Sequence, residues 1–164
     1  MKIRTARCHY ISDDINTLIL DNIEIADPQP DQVQIGIKAC SVNFPDILMI
    51  QGKYQFKPQL PFAPGGEFSG DIIAVGKDVA NFKVGDRVIG SDRSGGFSDA
   101  INLSSSQVKQ IPGDLSYAKA ATYSTAYLTA FVALTIRGSL QAGETLLVHG
   151  ATGGVGMAAV DLGK

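Results

Sequence analysis

The chain has 164 residues, of which 45% are hydrophobic and 18% charged, enough apolar material for a folded core. Its formal net charge of −2 argues against nucleic acid or an anionic membrane surface as a partner. The two cysteines form no C-x-x-C motif, and the N-terminus lacks the apolar run of a signal peptide. We therefore expect a cytoplasmic protein in a reducing compartment.

Residues 1–103 have the pattern of short strands separated by glycine and proline turns. Apolar and polar residues alternate over 32–39, which predicts a half-buried strand. A short helix is predicted over 43–50, with Pro45 tolerated in its first turn. Many short strands with glycine corners favour a small barrel or sandwich over a parallel sheet. The other predicted strands are 2–10, 17–25, 68–76, 86–90 and 96–103.

The pattern becomes helical after position 112. Ser116 is predicted to cap a short helix through Ala121, and a second helix is predicted over 124–137, ended by Gly138. The uncharged stretch 120–136 is too short and too polar to span a bilayer, and we interpret it as a buried helix.

A continuous apolar run over 144–149 is typical of a strand buried on both faces. His149 ends this run, and we predict a packed polar side chain rather than a metal ligand. The glycine turn 150–156 leads into a last helix, whose first turn presents free N–H groups and a partial positive charge to a pyrophosphate. The cofactor-binding residues predicted here are Ala151, Gly153, Gly154, Val155 and Gly156.

A series of motifs follows in a fixed order along nearly the whole chain. They are Val42-Asn-Phe-Pro-Asp46, Gly52-Lys-Tyr54, Pro61-Phe-Ala-Pro-Gly-Gly-Glu-Phe-Ser-Gly70, Val84-Gly-Asp-Arg-Val88, Leu128-Thr-Ala130 and the 150–156 turn. With these motifs the chain resembles the zinc-independent medium-chain dehydrogenases/reductases, in the quinone oxidoreductase (zeta-crystallin-like) branch. Two residues depart from the family's glycine signature: Thr152 replaces the usual Ser, Ala or Gly, and Asp161 replaces the usual Gln.

The resemblance implies a mixed α/β chain, with a GroES-like β-rich domain followed by the first β-α unit of an incomplete Rossmann domain. We predict the GroES-like catalytic domain over 1–115, connecting helices over 116–142 and the start of the Rossmann dinucleotide-binding domain over 143–164. The family implies NADPH as cofactor and hydride transfer to a small-molecule quinone or α,β-unsaturated carbonyl compound.

Zinc-dependent relatives hold their catalytic metal with Cys, His and a second Cys. This chain has Asn43 at the first of these positions and Gly66 at the histidine position, while Cys40 lies three residues too early. The remaining His and Cys residues have no ligand spacing. We therefore expect no metal, so the acceptor has to be electrophilic already, as quinones and enones are.

Four side chains are candidates for contact with the acceptor or the nicotinamide. Tyr54 is predicted to donate to the acceptor oxygen, or else to pack at the cleft rim. Asn43 is predicted to bind the nicotinamide or the acceptor, or else to form a turn beside Pro45. Asp46 is either catalytic or a helix cap. Thr129 resembles the family's nicotinamide-contacting threonine, unless its hydroxyl bonds only its own helix.

From Gly143 onward the chain is shorter than the roughly 30 residues that one βαβ unit takes. We expect a truncated chain with weak or no activity of its own, whose uncovered apolar surface favours a homo-oligomer. The residues that choose NADP over NAD are expected to be missing. Two alternatives stay open: a catalytically silent GroES-like binding or assembly module, and a zinc-free enoyl reductase.

Overall fold

The computed structural model describes residues 1–164. They divide into two compact units, Met1–Ala121 and Thr122–Lys164. The first unit contains a two-stranded sheet and a five-stranded sheet. Its strands are β1 (Lys2–Cys8), β2 (Leu18–Glu24), β3 (Gln32–Cys40), β4 (Glu67–Val75), β5 (Arg87–Ser91), β6 (Ala100–Ser104) and β7 (Val108–Gln110).

Every strand pair is antiparallel, and the five-stranded sheet has the order β6-β3-β4-β5-β7. This confirms that the first part of the chain is β-rich, with short strands that do not form a parallel sheet. The last predicted strand begins only at Ala100, because residues before it bond to β1: the Ala6 N–H donates to the Phe97 carbonyl oxygen. Strand β7, with Val108 as its one buried residue, is too short to give an alternating pattern and was not predicted.

The core of the five-stranded sheet consists of apolar side chains from neighbouring strands. Each loses nearly all contact with solvent, and burying one such side chain is worth about 1.5–3 kcal/mol. The residues that form it are Val33, Ile35, Phe68, Ile72, Val88, Leu103 and Val108.

Helix α1 (Phe44–Ile50) follows β3 and lies against a second apolar cluster. Met49 and Ile50 are buried there together with Cys8 of β1 and Phe62. Since the cluster holds the C-terminal half of α1, it fixes the position of the whole helix. The position of the first turn of α1 is therefore determined by this packing.

Helix α2 (Tyr117–Ala120) begins where the sequence predicts it. The Ser116 hydroxyl oxygen caps it by accepting from the Lys119 N–H at 3.4 Å. Ala120 is buried against Ile89 and Ile111, which attaches this helix to the sheet of the first unit.

The second unit contains a helical stretch that ends at Gly138, as predicted, and a last helix, α4 (Gly154–Leu162). The stretch consists of α3 (Thr129–Phe131) between two π-helical segments, Ser124–Leu128 and Val132–Arg137. The stretch is helical as predicted, but the prediction that it is buried is wrong. Ala130 is buried against α4, whereas Leu128 and Ile136 are 56% and 62% exposed, because within this unit only α4 packs on it. No helix in the structure is both long and apolar enough to cross a membrane.

The predicted strand over 144–149 is also wrong. These residues belong to no strand and pair with none. Only Leu146 and Val148 are half-buried, while Leu147 is 77% exposed and His149 is exposed rather than packed. A strand buried on both faces needs a neighbouring strand to take up its backbone N–H and C=O groups, and the chain supplies none here.

Candidate functional site

The site in the first unit is organised by the start of α1. Asn43 has an extended backbone and caps the helix, and Pro45 lies in its first turn, where no N–H is needed. Asn43 and Asp46 face each other in a capping box. In it, Asp46 Oδ2 accepts from the Asn43 backbone N–H at 2.8 Å. The sequence therefore places Asn43 at a fixed point, the N-terminal end of α1.

The second oxygen of Asp46 binds a different segment. Oδ1 accepts from the Gly65 backbone N–H at 2.9 Å, and the residue is only 2% exposed. Gly65 has a φ of +96°, and a Cβ there would lie within 3 Å of Cys40 Sγ and of Phe97. Since both Asp46 oxygens accept backbone N–H groups, the structure gives this carboxylate a positioning role.

A buried polar cluster surrounds these groups. The Ser41 hydroxyl donates to the Glu67 carbonyl oxygen at 3.3 Å and to Glu67 Oε2 at 3.4 Å. Cys40 Sγ donates to the same carbonyl oxygen at 3.2 Å. Burial raises the pKa of the Cys40 thiol to about 12, and the negative charges of Asp46 and Glu67 add to this shift. Cys40 is therefore a neutral thiol and not a nucleophile at physiological pH.

Tyr54 has its contacts along the C-terminal half of α1. Its N–H donates to the Leu48 carbonyl oxygen at 3.1 Å. The Tyr54 side chain is half-buried and packs against the apolar cluster that holds α1. The structure thus joins Asn43 and Asp46 by a hydrogen bond and gives Tyr54 contacts with the apolar cluster.

The structure contains no group of three or more His, Cys, Asp or Glu side chains able to hold a metal ion. Asn43 and Gly66 occupy the positions discussed above for zinc ligands, and Gly66 lies next to the Gly65 that Asp46 binds. Of the two histidines, His9 pairs with Asp21 at 2.7 Å and His149 is exposed.

The glycine turn of the second unit leads directly into α4. Gly150 has a φ of +68°, and the Gly153 N–H donates to its carbonyl oxygen at 3.1 Å. A Cβ on Gly156 would lie 2.2 Å from that same oxygen, so only glycine allows the helix to approach the turn this closely. The fold of the turn therefore depends on Gly150 and Gly156.

The turn leaves a set of backbone donors at the start of α4. The first bond along this helix runs from the Met157 N–H to the Gly153 carbonyl oxygen at 2.8 Å, so the N–H groups of Gly154, Val155 and Gly156 have no partner within the helix. A Cβ on Gly153 or Gly154 would meet only ordinary contacts at 3.5 and 3.9 Å. Because Ala151, Gly153, Gly154 and Val155 are exposed, an anion can reach these donors.

Thr129 is exposed on the helical stretch of the second unit. It lines a shallow cavity of about 490 Å³ with Leu128, Val132, Ala133 and Arg137. Its neighbour Thr135 shows the alternative arrangement, because the Thr135 hydroxyl donates to the Phe131 carbonyl oxygen of its own helix at 2.6 Å. The Thr129 hydroxyl makes no such bond.

Two contacts in these sites were not predicted. Asp161, one of the departures from the family signature, accepts a hydrogen bond from the Tyr127 hydroxyl at 3.0 Å and so ties α4 to the helical stretch. The second contact is a pair of hydrogen bonds: the Asn43 amide donates to the Ser41 hydroxyl oxygen, and the Ser41 hydroxyl donates to Glu67. Glu67 is the one charged residue in the apolar segment 61–70, and a lone acid in such a segment is a sequence signal for a buried, partnered carboxylate.

Residues 29–130 match the family model of the alcohol dehydrogenase GroES-like domain. The match covers more than half of the chain, and the chain therefore belongs to this family. The expectation of a GroES-like domain is confirmed. The match includes β3, α1 and the Asn43–Gly66 region, which hold the first site.

Individual relatives define the branch. The chain is 42% identical over 132 residues to quinone oxidoreductase-like protein 2 homolog of Nematostella vectensis. This alignment covers 80% of this chain and 36% of the relative. It is 40% identical over 144 residues to the quinone oxidoreductase of Lama guanicoe, and this alignment covers 87% of this chain and 44% of the relative. Its place is thus in the quinone oxidoreductase-like branch of the medium-chain dehydrogenases/reductases.

A solved structure supports the same fold over both units. Human synaptic vesicle membrane protein VAT-1 homolog-like protein matches with a TM-score of 0.93 and 33% identity, over 99% of this chain and 52% of that chain. The chain spans less than half the length of the two curated relatives and about half of this solved structure.

Proposed function

We propose that the protein is an oxidoreductase that uses NADPH to reduce quinones or α,β-unsaturated carbonyl compounds without zinc. The observation that carries the proposal is the start of α4, where three backbone N–H groups lack helical partners and lie beside two exposed glycines, Gly153 and Gly154. NADPH supplies the hydride when it is bound. Membership of the quinone oxidoreductase-like branch supports the reaction class, which belongs to proteins of which this chain's alignments cover 36% and 44%.

The turn 150–156 fits a pyrophosphate for electrostatic and steric reasons. The N–H groups of Gly154, Val155 and Gly156 donate to phosphate oxygens, and the α4 dipole adds partial positive charge at the same end. Without Cβ atoms on Gly153 and Gly154, phosphate oxygens approach the backbone to hydrogen-bonding distance. Thr129, exposed beside its cavity, is proposed to contact the nicotinamide.

The first unit is proposed to bind the acceptor. Reduction of a quinone or enone places negative charge on an oxygen, and hydrogen-bond donors stabilise that charge. The Asn43 amide is such a donor at the end of α1, while Asp46 holds Asn43 in place through its backbone N–H. Tyr54 is proposed as a proton source because a phenol donates at neutral pH.

One observation favours a second candidate, a catalytically silent binding or assembly module. Residues 144–149, which precede the glycine turn, pair with no strand. A turn that is not anchored to a sheet loses part of its preorganisation, and this weakens the binding of any ligand.

NADPH oxidation followed at 340 nm with a panel of quinones and enones tests the proposal. We expect Asn43→Ala and Thr129→Val each to lower the turnover relative to that of the unmodified protein, on the order of tenfold, about 1.4 kcal/mol. Asn22→Ala, on the exposed face of β2, and Thr135→Val, whose hydroxyl bonds its own helix, are matched controls with unchanged turnover. Unchanged kinetics in both site variants would remove these roles.

The same assay separates the candidates. Saturable NADPH binding would refute the silent module, whereas the absence of both NADPH binding and NADPH oxidation would establish it. Reduction of enoyl thioesters in strong preference to quinones would identify an enoyl reductase.

A further inference from the structure

The side chain of Ser41 is connected on both sides by hydrogen bonds. Its hydroxyl donates to the Glu67 carbonyl oxygen at 3.3 Å, with Glu67 Oε2 a second acceptor at 3.4 Å. A carbonyl oxygen can only accept, so the single hydroxyl proton is used on Glu67. Ser41 Oγ is left with lone pairs for its other neighbour, the Asn43 amide at 2.8 Å.

This determines which way the Asn43 amide faces. Only the amide nitrogen can donate to Ser41 Oγ, so Nδ2 lies at Ser41. The Asp46 N–H donates to the main-chain carbonyl oxygen of Asn43 at 3.0 Å, so the side-chain amide is oriented by its contact with Ser41. A rotation of the amide by 180° would place its oxygen against a hydroxyl whose proton is already used. The hydrogen bond to Ser41 therefore opposes the rotation.

We propose that Ser41, supported by Glu67, is a positioning residue that fixes the Asn43 amide so that its second Nδ2 proton is the group offered to a ligand. An amide nitrogen carries two protons about 120° apart, so the one that is not bonded to Ser41 points away from it. The ligand group that Asn43 binds is therefore a hydrogen-bond acceptor, a carbonyl oxygen, and not a donor. This inference rests on the proposed function for the identity of the carbonyl, either the carboxamide of the cofactor or the reducible acceptor.

Side-chain amide NMR on the 164-residue chain with ¹⁵N-asparagine tests the positioning. The signal of Asn43 is identified by its loss in Asn43→Ala. We expect one Nδ2 proton to exchange with water at least about fivefold more slowly than those of exposed Asn22, because it is bonded to Ser41. Ser41→Ala should remove this protection, and Ser41→Thr, which keeps the hydroxyl, should retain it.

An internal reference guards against a general loss of structure. Asn102 Nδ2 donates to the Ala26 carbonyl oxygen at 3.0 Å, far from Ser41 in the sequence, so its protection should be the same in all variants. Fast exchange of both Asn43 protons in the unmodified chain overturns the proposal. So does protection that survives Ser41→Ala while Asn102 is unchanged.

Two probes then distinguish the sources of the carbonyl. NADP⁺ alone tests the cofactor carboxamide, and cyclohexanone alone tests an acceptor-like ketone that cannot be reduced by the conjugate route. We expect one of them to move the unprotected Asn43 proton downfield. If neither does, the inference about the ligand is wrong. Failure of the proposed function, by contrast, would appear as absent NADPH oxidation with the protection of Asn43 intact.

Discussion

Asp46 gives the most direct test of how the first site is built. Replacing it with Ala removes a carboxylate that is 2% exposed and accepts two backbone N–H groups, at 2.8 Å from Asn43 and at 2.9 Å from Gly65. Asp14 is the matched control, because its exposed carboxylate accepts the Asn16 N–H at 2.9 Å.

The expected cost follows from the two bonds. A hydrogen bond to a charged group contributes about 1.5–3 kcal/mol, and its loss here leaves buried N–H groups without a partner. We therefore expect Asp46→Ala to lower the free energy of unfolding by about 3–5 kcal/mol. Asp46→Asn keeps one acceptor oxygen and should cost about half as much. Asp14→Ala, at an exposed cap, should cost about 0.5–1 kcal/mol.

Urea unfolding followed by far-ultraviolet circular dichroism measures these differences, and amide hydrogen exchange at Gly65 reports on the contact itself. The slope of the urea dependence should stay the same in all variants. A cost for Asp46→Ala equal to that of Asp14→Ala, with Gly65 still protected, would refute the conclusion that Asp46 joins α1 to the Gly65 segment.

Three further results are expected. Because the pKa of Cys40 is raised to about 12, its thiol should resist iodoacetamide at neutral pH. The stabilisation that comes from this raised pKa is complete below the pKa of the unfolded chain, near 9.0, and is lost as the pH rises towards 12. Cys40→Ala should diminish this pH dependence of the free energy of unfolding. Gly156→Ala, whose Cβ would lie 2.2 Å from the Gly150 carbonyl oxygen, should destabilise the second unit by about 1–3 kcal/mol in urea unfolding. The Asp161 carboxylate raises the pKa of Tyr127 through their hydrogen bond, so Asp161→Asn should lower the phenol's midpoint in an ultraviolet titration, and an unchanged midpoint would contradict that contact.

The features that the sequence predicts well are those decided by neighbouring residues. Ser116 caps α2, Gly138 ends the helical stretch and Asn43 begins α1, since capping depends on side chains a few positions away. Most strands of the first unit are likewise predicted, from alternation within a strand and from turn residues beside it. The sequence allowed Asp46 to be either a catalytic residue or a helix cap, and the hydrogen bond that it accepts from the Asn43 N–H supports the cap.

The features that it does not predict depend on distant partners. Residues 144–149 have the composition of a buried strand, but strand formation requires a neighbour, and none is present. Ser41, directly after β3, bonds to both Asn43 and Glu67 of β4. Glu67 is distant from Ser41 in the sequence, so no local sequence pattern predicts this contact. The exposure of one face of the 124–137 stretch was not predicted for the same reason. An uncharged composition favours burial but does not identify the segment that would cover the helix.

The proposed anion site for the NADPH pyrophosphate lies at the start of α4. Titration of the 164-residue chain with NADPH, followed by ¹H–¹⁵N NMR, tests it at the three donors, Gly154, Val155 and Gly156. We expect their amide protons to move downfield saturably. Gly153→Ala should abolish this movement without unfolding the turn, because its Cβ lies 3.5 Å from the nearest atom but stands in the path of the phosphates. Shifts that are absent from these three amides, or unchanged in Gly153→Ala, would show that the pyrophosphate does not bind there.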